Sequence, residues 1–362
     1  MSAPLPAPLP APLPVRLLIV GTGAMAAQHA ENFGALPGVS IVGGVDTNGT
    51  RLTAFRERWG IRHGFPSVAA ALDWGRFDAA ANVTPDPVHY LTTMPLLAAG
   101  KHVFCEKPLA VTHSDALAMA EAARAAGVVH GVNLTYRNGP ALQRAARMVA
   151  EGAIGEVRHF EASYLQSWLA QPAWGDWRVQ DRWLWRLSTA HGSKGVLGDV
   201  GIHILDFMSY AAGLPVAEVS CRLATFPKAK DDRIGPYILD ANDSAAMILR
   251  LSNGAVGVVH ASRFAAGHLN DLRLRLFGDR GGMEVAWERN ESRLRLCAAP
   301  GLETAEWHDL PLEPVPANHD RFIAAIRGGA AMDPDFHRGA ALQAVLDRAV
   351  ASHNEGGISL RV

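Results

Sequence analysis

Val15-Arg16-Leu17-Leu18-Ile19-Val20-Gly21-Thr22-Gly23-Ala24-Met25-Ala26, residues 15–26, is a short apolar run that passes directly into a G-x-G-x-x-A turn. A continuous apolar run of this length suits a strand buried on both faces, as in a parallel sheet. Gly21 permits a tight turn. Gly23 lacks a Cβ and lets the backbone approach a pyrophosphate, and Ala26 allows close helix–strand packing. A helix pattern follows this turn to about Phe33 and stops near Gly34 and Pro37; its N-terminus offers N–H groups and a partial positive charge to phosphate. The next apolar run, Ser40 to Val45, ends on Asp46, 23 residues after Gly23. That is close to the spacing at which a carboxylate meets an adenosine ribose. The glycine motif alone is a weak signal. Strand, turn, helix, strand and closing acid in that order predict a dinucleotide site at Gly21, Gly23, Ala24, Met25 and Asp46, with Thr47 beside it. A carboxylate pairs with the 2′-hydroxyl of NAD and repels the 2′-phosphate of NADP. Thr47-Asn48-Gly49 offers no cation, although Arg51 is near in sequence. The expected cofactor is NAD, with NADP second.

Outward from this stretch the alternation continues. Phe77 to Val83 reads as a strand and Asp86 to Ala98 as a helix closed by Gly100. Lys101 to Cys105 is the next strand. Thr112-His113-Ser114-Asp115 opens a helix with a capping-box pattern, and Gly127 closes it. Val128 to Leu134 is a further strand. Strands separated by helices imply a doubly wound parallel sheet, whose ligand crevice lies beyond the strand C-termini. Thr84-Pro85 and Glu106-Lys107-Pro108 both follow strand ends and are expected to face it.

The 362-residue length predicts about two domains. Lys and Arg total 34 against 35 Asp and Glu, a net charge of −1, which argues against a phosphate-dominated nucleic-acid binder. Three separated cysteines, Cys105, Cys221 and Cys297, form neither a disulfide framework nor a zinc ribbon and suit a reducing cytosol. No metal is expected. Six of the 22 prolines fall in the first 14 residues, where APLP repeats from Ala3 to Pro14. This segment lacks a signal peptide's basic and unbroken apolar regions. It reads as a polyproline II arm, either a tail or a strap on a neighbouring subunit. No apolar window is long enough for a membrane span.

After about Glu156 the rhythm changes. Glu156 to Gln166, Ala217 to Phe226, Asp243 to Leu251, Ala255 to Phe264, Leu272 to Phe277, Met283 to Trp287 and Ser292 to Cys297 read as strands. Asn253-Gly254 signals a hairpin between two of them. Helices are predicted over Leu197 to Ala212, Asn318 to Arg327 and Phe336 to Ser352. The reading is an α/β domain followed by an α+β domain with a mostly antiparallel sheet. The boundaries are a Pro-rich arm over 1–14, a dinucleotide-binding domain over 15–135 and a substrate and oligomerisation domain over 136–362.

Three groups carry candidate chemistry. Pro108 restricts Lys107 to extended geometry at a strand end, where a lysine can polarise a substrate oxygen; a plain surface lysine is the alternative. Asp199 and His203 lie four apart on a predicted helix and share a face. A carboxylate that orients a histidine is an acid–base pairing; a helix-capping aspartate and a packed histidine are the alternative. Five of the nine tryptophans fall between Trp168 and Trp185, interleaved with Arg178, Arg182 and Arg186. They suit either the C–H face of a sugar ring or packing at an interface.

With these residues assembled, the chain resembles the glucose–fructose oxidoreductase / inositol dehydrogenase (Gfo/Idh/MocA) family from Val15 to the C-terminus. The carrying motifs are VGTGAMA at 20–26, AGKHVFCEKPLA at 99–110 and GVLGDVGIHILD at 195–206. The resemblance implies a Rossmann domain, an open-faced sheet domain used in oligomerisation, an active site between them, and sugar, inositol or related polyol substrates. It implies that Lys107 contacts substrate and nicotinamide, that Asp199 contacts a substrate hydroxyl, and that His203 takes the hydroxyl proton. It places Thr84, Pro85, His89 and Glu106 along the cofactor, and Asn133 and Arg137 near nicotinamide and substrate. Gln166, Trp168 and Trp185 resemble a subgroup acting on cyclic sugars and anhydrosugars. Lys194 departs from a usually small-residue run and is expected to add positive charge to the substrate pocket. The expectation is an NAD-dependent dehydrogenase of a cyclic sugar, anhydrosugar or inositol, cytoplasmic and a homodimer or homotetramer. Two rivals remain: a protein that keeps NAD bound for glycoside cleavage or coupled redox, and a non-catalytic dinucleotide-sensing regulator.

Overall fold

The computed structural model describes residues 13–172 and 174–362. The expected Pro-rich arm lies outside the described residues apart from Leu13 and Pro14. Packing divides the chain into two units. The first runs through Leu109 and takes in Ala118–Asn133 and Asn318–Phe336; the second holds Ala110–Leu117, Leu134–Ala317 and His337–Val362. The expectation drew a single line at residue 135. Asn318–Phe336 departs from it because its apolar side chains Phe322 and Ile323 join the first unit's core.

In the first unit the order is β1 (Val15–Val20), α1 (Ala24–Gly34), β2 (Val39–Val45), α2 (Gly49–Trp59), β3 (His63–Phe65), α3 (Val68–Trp74), β4 (Ala79–Asn82), α4 (His89–Ala98), β5 (His102–Cys105), α5 (His113–Ala126) and β6 (His130–Val132). The sheet runs β3-β2-β1-β4-β5-β6 among the described residues, with parallel pairing throughout. The order reverses between β1 and β4, so the turns after these two strands sit where open α/β sheets bind ligands. Leu17 and Ile19 of β1, Phe33 of α1 and Phe104 of β5 are buried with Phe322. Removing such a side chain from water contributes ~1.5–3 kcal/mol. The sequence reading did not resolve α2, because only Leu52 and Phe55 of it are buried. Its ends are nonetheless local: the Asn48 side chain accepts from the Arg51 N–H, and Gly60 closes it in the left-handed region at φ 63°.

In the second unit a nine-stranded sheet among the described residues runs His308–Asp309, Glu291–Ala298, Gly281–Glu288, Asn270–Gly278, Val157–Gln166, Val256–Ser262, Ser244–Leu251, Val216–Ala224 and Leu360–Arg361. Its pairs are antiparallel except Val256–Ser262 with Val157–Gln166, which is parallel. The Asn253-Gly254 turn joins the strand pair expected from sequence. Along Ser244–Leu251 buried Ala245, Met247, Leu249 and Leu251 alternate with exposed Ala246, Ile248 and Arg250, the period of a half-covered sheet. The helix Ile202–Ala212 is buried almost throughout. Among the described residues no helix is long and apolar enough to cross a membrane.

Candidate active-site residues

The glycine turn has the geometry its residues predict. Gly21 sits at φ 88°, and a Cβ there would come within 2.8–2.9 Å of the Val83 carbonyl and the Thr84 nitrogen, so no larger residue fits. A Cβ on Gly23 would meet nothing within 4 Å. Helix α1 begins at Gly23 without a side-chain cap, which leaves its first amides for an anion, and Ala24 and Met25 stand exposed in that first turn. Asp46 lies at the end of β2, 7% exposed. One oxygen, Oδ2, accepts from the Thr22 N–H and hydroxyl, each at 2.8 Å, and from Arg51 Nε at 2.9 Å. The other, Oδ1, accepts from the Asn48 N–H and Arg51 Nη2, each at 2.8 Å. Burial alone would raise the carboxyl pKa; the Arg51 fork and these donors outweigh burial and hold it well below the usual carboxylate range. Thr47 is exposed on the same loop. An uncapped helix end, a cradle without Cβ atoms and a strand-end carboxylate fit a dinucleotide.

Beyond β4, Asn82 is fully buried. Its Oδ1 accepts from the Thr84 hydroxyl, and its Nδ2 donates to the hydroxyls of Thr92 and Thr93, each at 2.8 Å. His89 is also fully buried, with Nδ1 and Nε2 each 2.8 Å from a carbonyl oxygen, of Pro108 and Thr84 respectively. A carbonyl only accepts, so both ring nitrogens carry hydrogen and His89 is an imidazolium. Burial would push its pKa down; the Cys105 sulfur, Asp86 and the Pro108 carbonyl more than offset that and hold it up at about 10. His89 is thus a charged strap between the Thr84-Pro85 turn and the Glu106-Lys107-Pro108 turn.

Glu106 faces inward. Its Oε1 accepts from His29 Nε2 at 2.8 Å and Asn133 Nδ2 at 2.7 Å, and its Oε2 accepts from the Lys107 backbone N–H at 3.2 Å. His319 Nε2 lies 3.1 Å from His29 Nδ1, and Asn318 Nδ2 donates to Asn133 Oδ1 at 3.4 Å. Burial would raise the Glu106 pKa, but His29, Asn133 and Lys107 bring it down to about 2. Burial, and then neighbouring His29, lower His319 to about 3. Glu106 therefore anchors the backbone that carries Lys107, and Asn133, expected at the substrate, braces that anchor.

These groups set a pH dependence. His319 is depressed, so its contribution to stability is present above about 6.5 and is lost as pH falls from there towards 3. Glu106 extends the acid loss from about 4.5 towards 2. His89 is raised, so its contribution is complete below about 6.5 and is lost as pH rises towards 10. Each such proton changes stability by about 1.4 kcal/mol per pH unit inside its window. Urea midpoints against pH should show both limbs, and His89→Gln should flatten the alkaline one. An alkaline limb that survives in that variant would assign it elsewhere.

In the second unit, the predicted helix over Leu197 to Ala212 opens as a π-helical turn, Leu197–Gly201, before the α-helix Ile202–Ala212. The Asn242 carbonyl and side chain hold the start, accepting from the Val196 and Leu197 N–H groups at 2.8 and 3.0 Å. Asp199, in the π-turn, accepts from Arg263 Nη2 at 3.0 Å and lies 3.7 Å from Arg186 Nε. Arg263 is fully buried under the Trp168 ring, 5.1 Å from its centroid, and also donates to the Arg186 and Gly195 carbonyls. His203, 7% exposed, meets Tyr136 edge to face at 5.1 Å and Tyr164 at 6.4 Å. Tyr136 and Tyr164 are 2.5 Å apart at their hydroxyls, Tyr164 donates to Asn270 Oδ1, and Asn270 Nδ2 donates to Tyr136. Burial raises both phenols, Tyr136 to about 12, so both stay protonated and each can donate once around this closed triangle.

Other expected substrate residues are placed differently. Gln166 donates to Asn270 Oδ1 at 2.9 Å and accepts from Trp168 Nε1 at 3.1 Å. Trp168, 2% exposed, packs with Leu169, Trp177, Leu184, Leu187 and Leu239. Packing, not an open sugar-facing ring, is its environment. Trp185 is half-buried with the Arg186 guanidinium 4.6 Å from its ring. Arg137, 1% exposed, pairs with Asp206 through two hydrogen bonds and covers the Tyr210 face at 3.3 Å, which makes it part of the scaffold. Lys194 is exposed on the loop before the π-turn. Arg263, Tyr136, Tyr164, Asn270, His29 and His319 were not anticipated. Among the described residues no group of three or more His, Cys, Asp or Glu side chains could hold a metal ion.

Comparison with known proteins follows the same division. Residues 142–284 match the GFO/IDH/MocA C-terminal domain and residues 15–134 match the oxidoreductase family with an NAD-binding Rossmann fold. Levoglucosan dehydrogenase of Pseudarthrobacter phenanthrenivorans is 28% identical over 332 residues, covering 82% of this chain and 83% of that one. Myo-inositol 2-dehydrogenase of Thermotoga maritima is 26% identical over 267 residues, 74% of each. A solved levoglucosan dehydrogenase in complex with NADH and levoglucosan superposes with a TM-score of 0.84 at 26% identity, over 96% of this chain and 99% of that one. The glycine cradle, the strand-end acid, the Glu106-Lys107-Pro108 turn and both matched domains agree: the chain belongs to the Gfo/Idh/MocA family of oxidoreductases, and its first unit is the NAD-binding Rossmann domain.

Proposed function

We propose that the protein oxidises a hydroxyl-bearing ring carbon of a cyclic sugar, anhydrosugar or inositol, with NAD as the other substrate. NAD, when bound, supplies the ring carbon that accepts the hydride. The first unit binds it through the glycine turn, the α1 N-terminus and Asp46. Lys107, fixed by Glu106 through its own backbone, polarises the hydroxyl oxygen. His203 takes the hydroxyl proton. Asp199, held as an anion by Arg263, accepts a hydrogen bond from the substrate and so fixes which carbon is presented. The observation that carries this reading is the preparation of Asp199: a fully buried arginine, stacked on Trp168, aims a partly exposed carboxylate. The Asp199 side chain stays 31% exposed beside a cation that is fully buried. The sugar and inositol dehydrogenases among the relatives support the substrate class.

The test is a panel of anhydrosugars, pyranoses and inositols with NAD, read by NADH absorbance. Turnover of one of them supports the reading. NAD retained through purification without net NADH would instead favour internal redox, and binding without any turnover would favour a regulator.

Assembly and location belong to the same proposal. Ile248 and Val258 face each other on adjacent strands and, with Val256, stand 42–58% exposed. Such a stripe suits a second copy of the sheet, and native mass measurement checks it. The three cysteines are free and buried, in keeping with a reducing compartment such as the cytoplasm.

A further inference from the structure

Glu106 sits on the turn after β5, and its carboxylate is the polar tie between that turn and the rest of the first unit. Oε2 accepts the Lys107 N–H, while Oε1 accepts from two side chains, His29 on α1 and Asn133 just after β6. A carboxylate held as an anion only accepts, so His29 Nε2 carries the hydrogen of its bond. The other ring nitrogen, Nδ1, lies 3.1 Å from Nε2 of His319, the second residue of the helix Asn318–Ile326. Turning the His29 ring would break both contacts at once. There is no room to turn it: His29 is 1% exposed, with the rings of Phe33, Phe104 and His319 centred 6.3, 5.9 and 5.1 Å away. Asn318 repeats the pattern for the other donor, reaching Asn133 Oδ1 at 3.4 Å. Each donor to Oε1 is thus braced from the start of one helix, which returns to this unit from late in the chain.

We propose that His29 is a positioning residue for Lys107: braced by His319, it fixes the Glu106 carboxylate, which in turn fixes the backbone from which Lys107 projects. Of the two parts that His29 joins, the turn is the one that moves without it. Helix α1 is also held by Ala26, Ala30 and Phe33, each no more than 1% exposed in the apolar core. The Glu106 carboxylate would keep Asn133 but lose a buried donor, and an unmet buried acceptor is strongly disfavoured. It would shift to find water or another donor and take the Lys107 N–H with it. His29 therefore acts on the placement of the lysine and not on the grip of the α1 N-terminus on a dinucleotide. The expected effect on turnover rests on the role proposed for Lys107; the positioning itself does not.

The experiment compares three variants of the whole chain. His29→Phe keeps the ring contacts and loses both hydrogen bonds. His29→Gln places an amide N–H where Nε2 stood and keeps the bond to Glu106. His319→Phe removes only the brace on Nδ1. Amide hydrogen exchange, read by mass spectrometry, is followed beside kcat, KM and the NADH dissociation constant. The peptide carrying Lys107 should exchange about tenfold faster in His29→Phe, with β1 and α1 unchanged, because the opening is local. It should return close to the unaltered rate in His29→Gln and fall between in His319→Phe. On any sugar or inositol that the unaltered protein oxidises, His29→Phe should lower kcat by about tenfold to a hundredfold, the scale of a misplaced reacting group. KM and NADH binding should change little, and His29→Gln should recover most of kcat. Faster exchange across β1, α1 and β5 together, without rescue by glutamine, makes His29 a packing residue and overturns the proposal. So does an unchanged Lys107 peptide in His29→Phe, or in His319→Phe if the first variant does not fold. Exchange that responds as expected in a protein that oxidises no sugar supports the positioning and overturns the catalytic reading of Lys107 instead.

Discussion

Replacing Lys107 by alanine should lower kcat by about 10²–10⁴-fold, the usual range for a group that polarises or protonates a reacting atom, while the dissociation constant for NADH changes little. The reason lies in how Lys107 is held. Its N–H bonds to Glu106 Oε2, and Glu106 is anchored by His29 and Asn133. The alanine variant keeps the backbone N–H that bonds Glu106 and the His29 and Asn133 contacts of Glu106, and removes the Lys107 side chain beyond Cβ, ammonium included. Gly21, Gly23 and Asp46, the residues proposed to hold the dinucleotide, lie on other turns. Separate measurements of kcat and of NADH fluorescence check the split. Near-normal turnover would remove Lys107 from the chemistry, and a parallel collapse of NADH binding would make it a cofactor residue instead.

The second large effect is expected at His203. His203→Asn should lower kcat by about 10²–10⁴-fold and also change the shape of the pH profile. A base must be neutral to take a proton, so oxidation by the unaltered protein should accelerate with rising pH as His203 loses its charge; the asparagine variant should lack that limb. The profile separates this role from packing. His203 is nearly buried against Tyr136, and a variant that only loosened this contact would be slower at every pH with the limb intact. Burial holds the Tyr136 and Tyr164 phenols protonated, which is consistent with the proposed role of His203 as the group that takes the proton.

How much was legible in advance varies with the distance over which each feature is decided. The β1–turn–α1 unit, the strand-end Asp46 and the Glu106-Lys107-Pro108 turn follow from backbone rules acting within a few residues: a positive φ at Gly21, a missing Cβ at Gly23, a restricted residue before Pro108. The alternation of Ser244–Leu251 needed only the pleat of a strand. The π-turn at Leu197–Gly201 was hidden because its residues read as ordinary helix. Helix α2 was hidden because two buried side chains make too thin a stripe.

The fold class, the nucleotide cradle and the identities of Lys107, Asp199 and His203 as candidates were therefore set by the sequence itself, through short-range geometry and residue chemistry. The tertiary structure decided which partners tune those residues. His319 reaches His29 across 290 positions, Arg263 meets Asp199 across 64, and Asn270 closes on Tyr136 across 134. It also turned Trp168 and Arg137 into scaffold. Hydrogen bonds and burial between distant segments leave no local period in a chain, so only folding could show that Asp199 rests on a buried arginine.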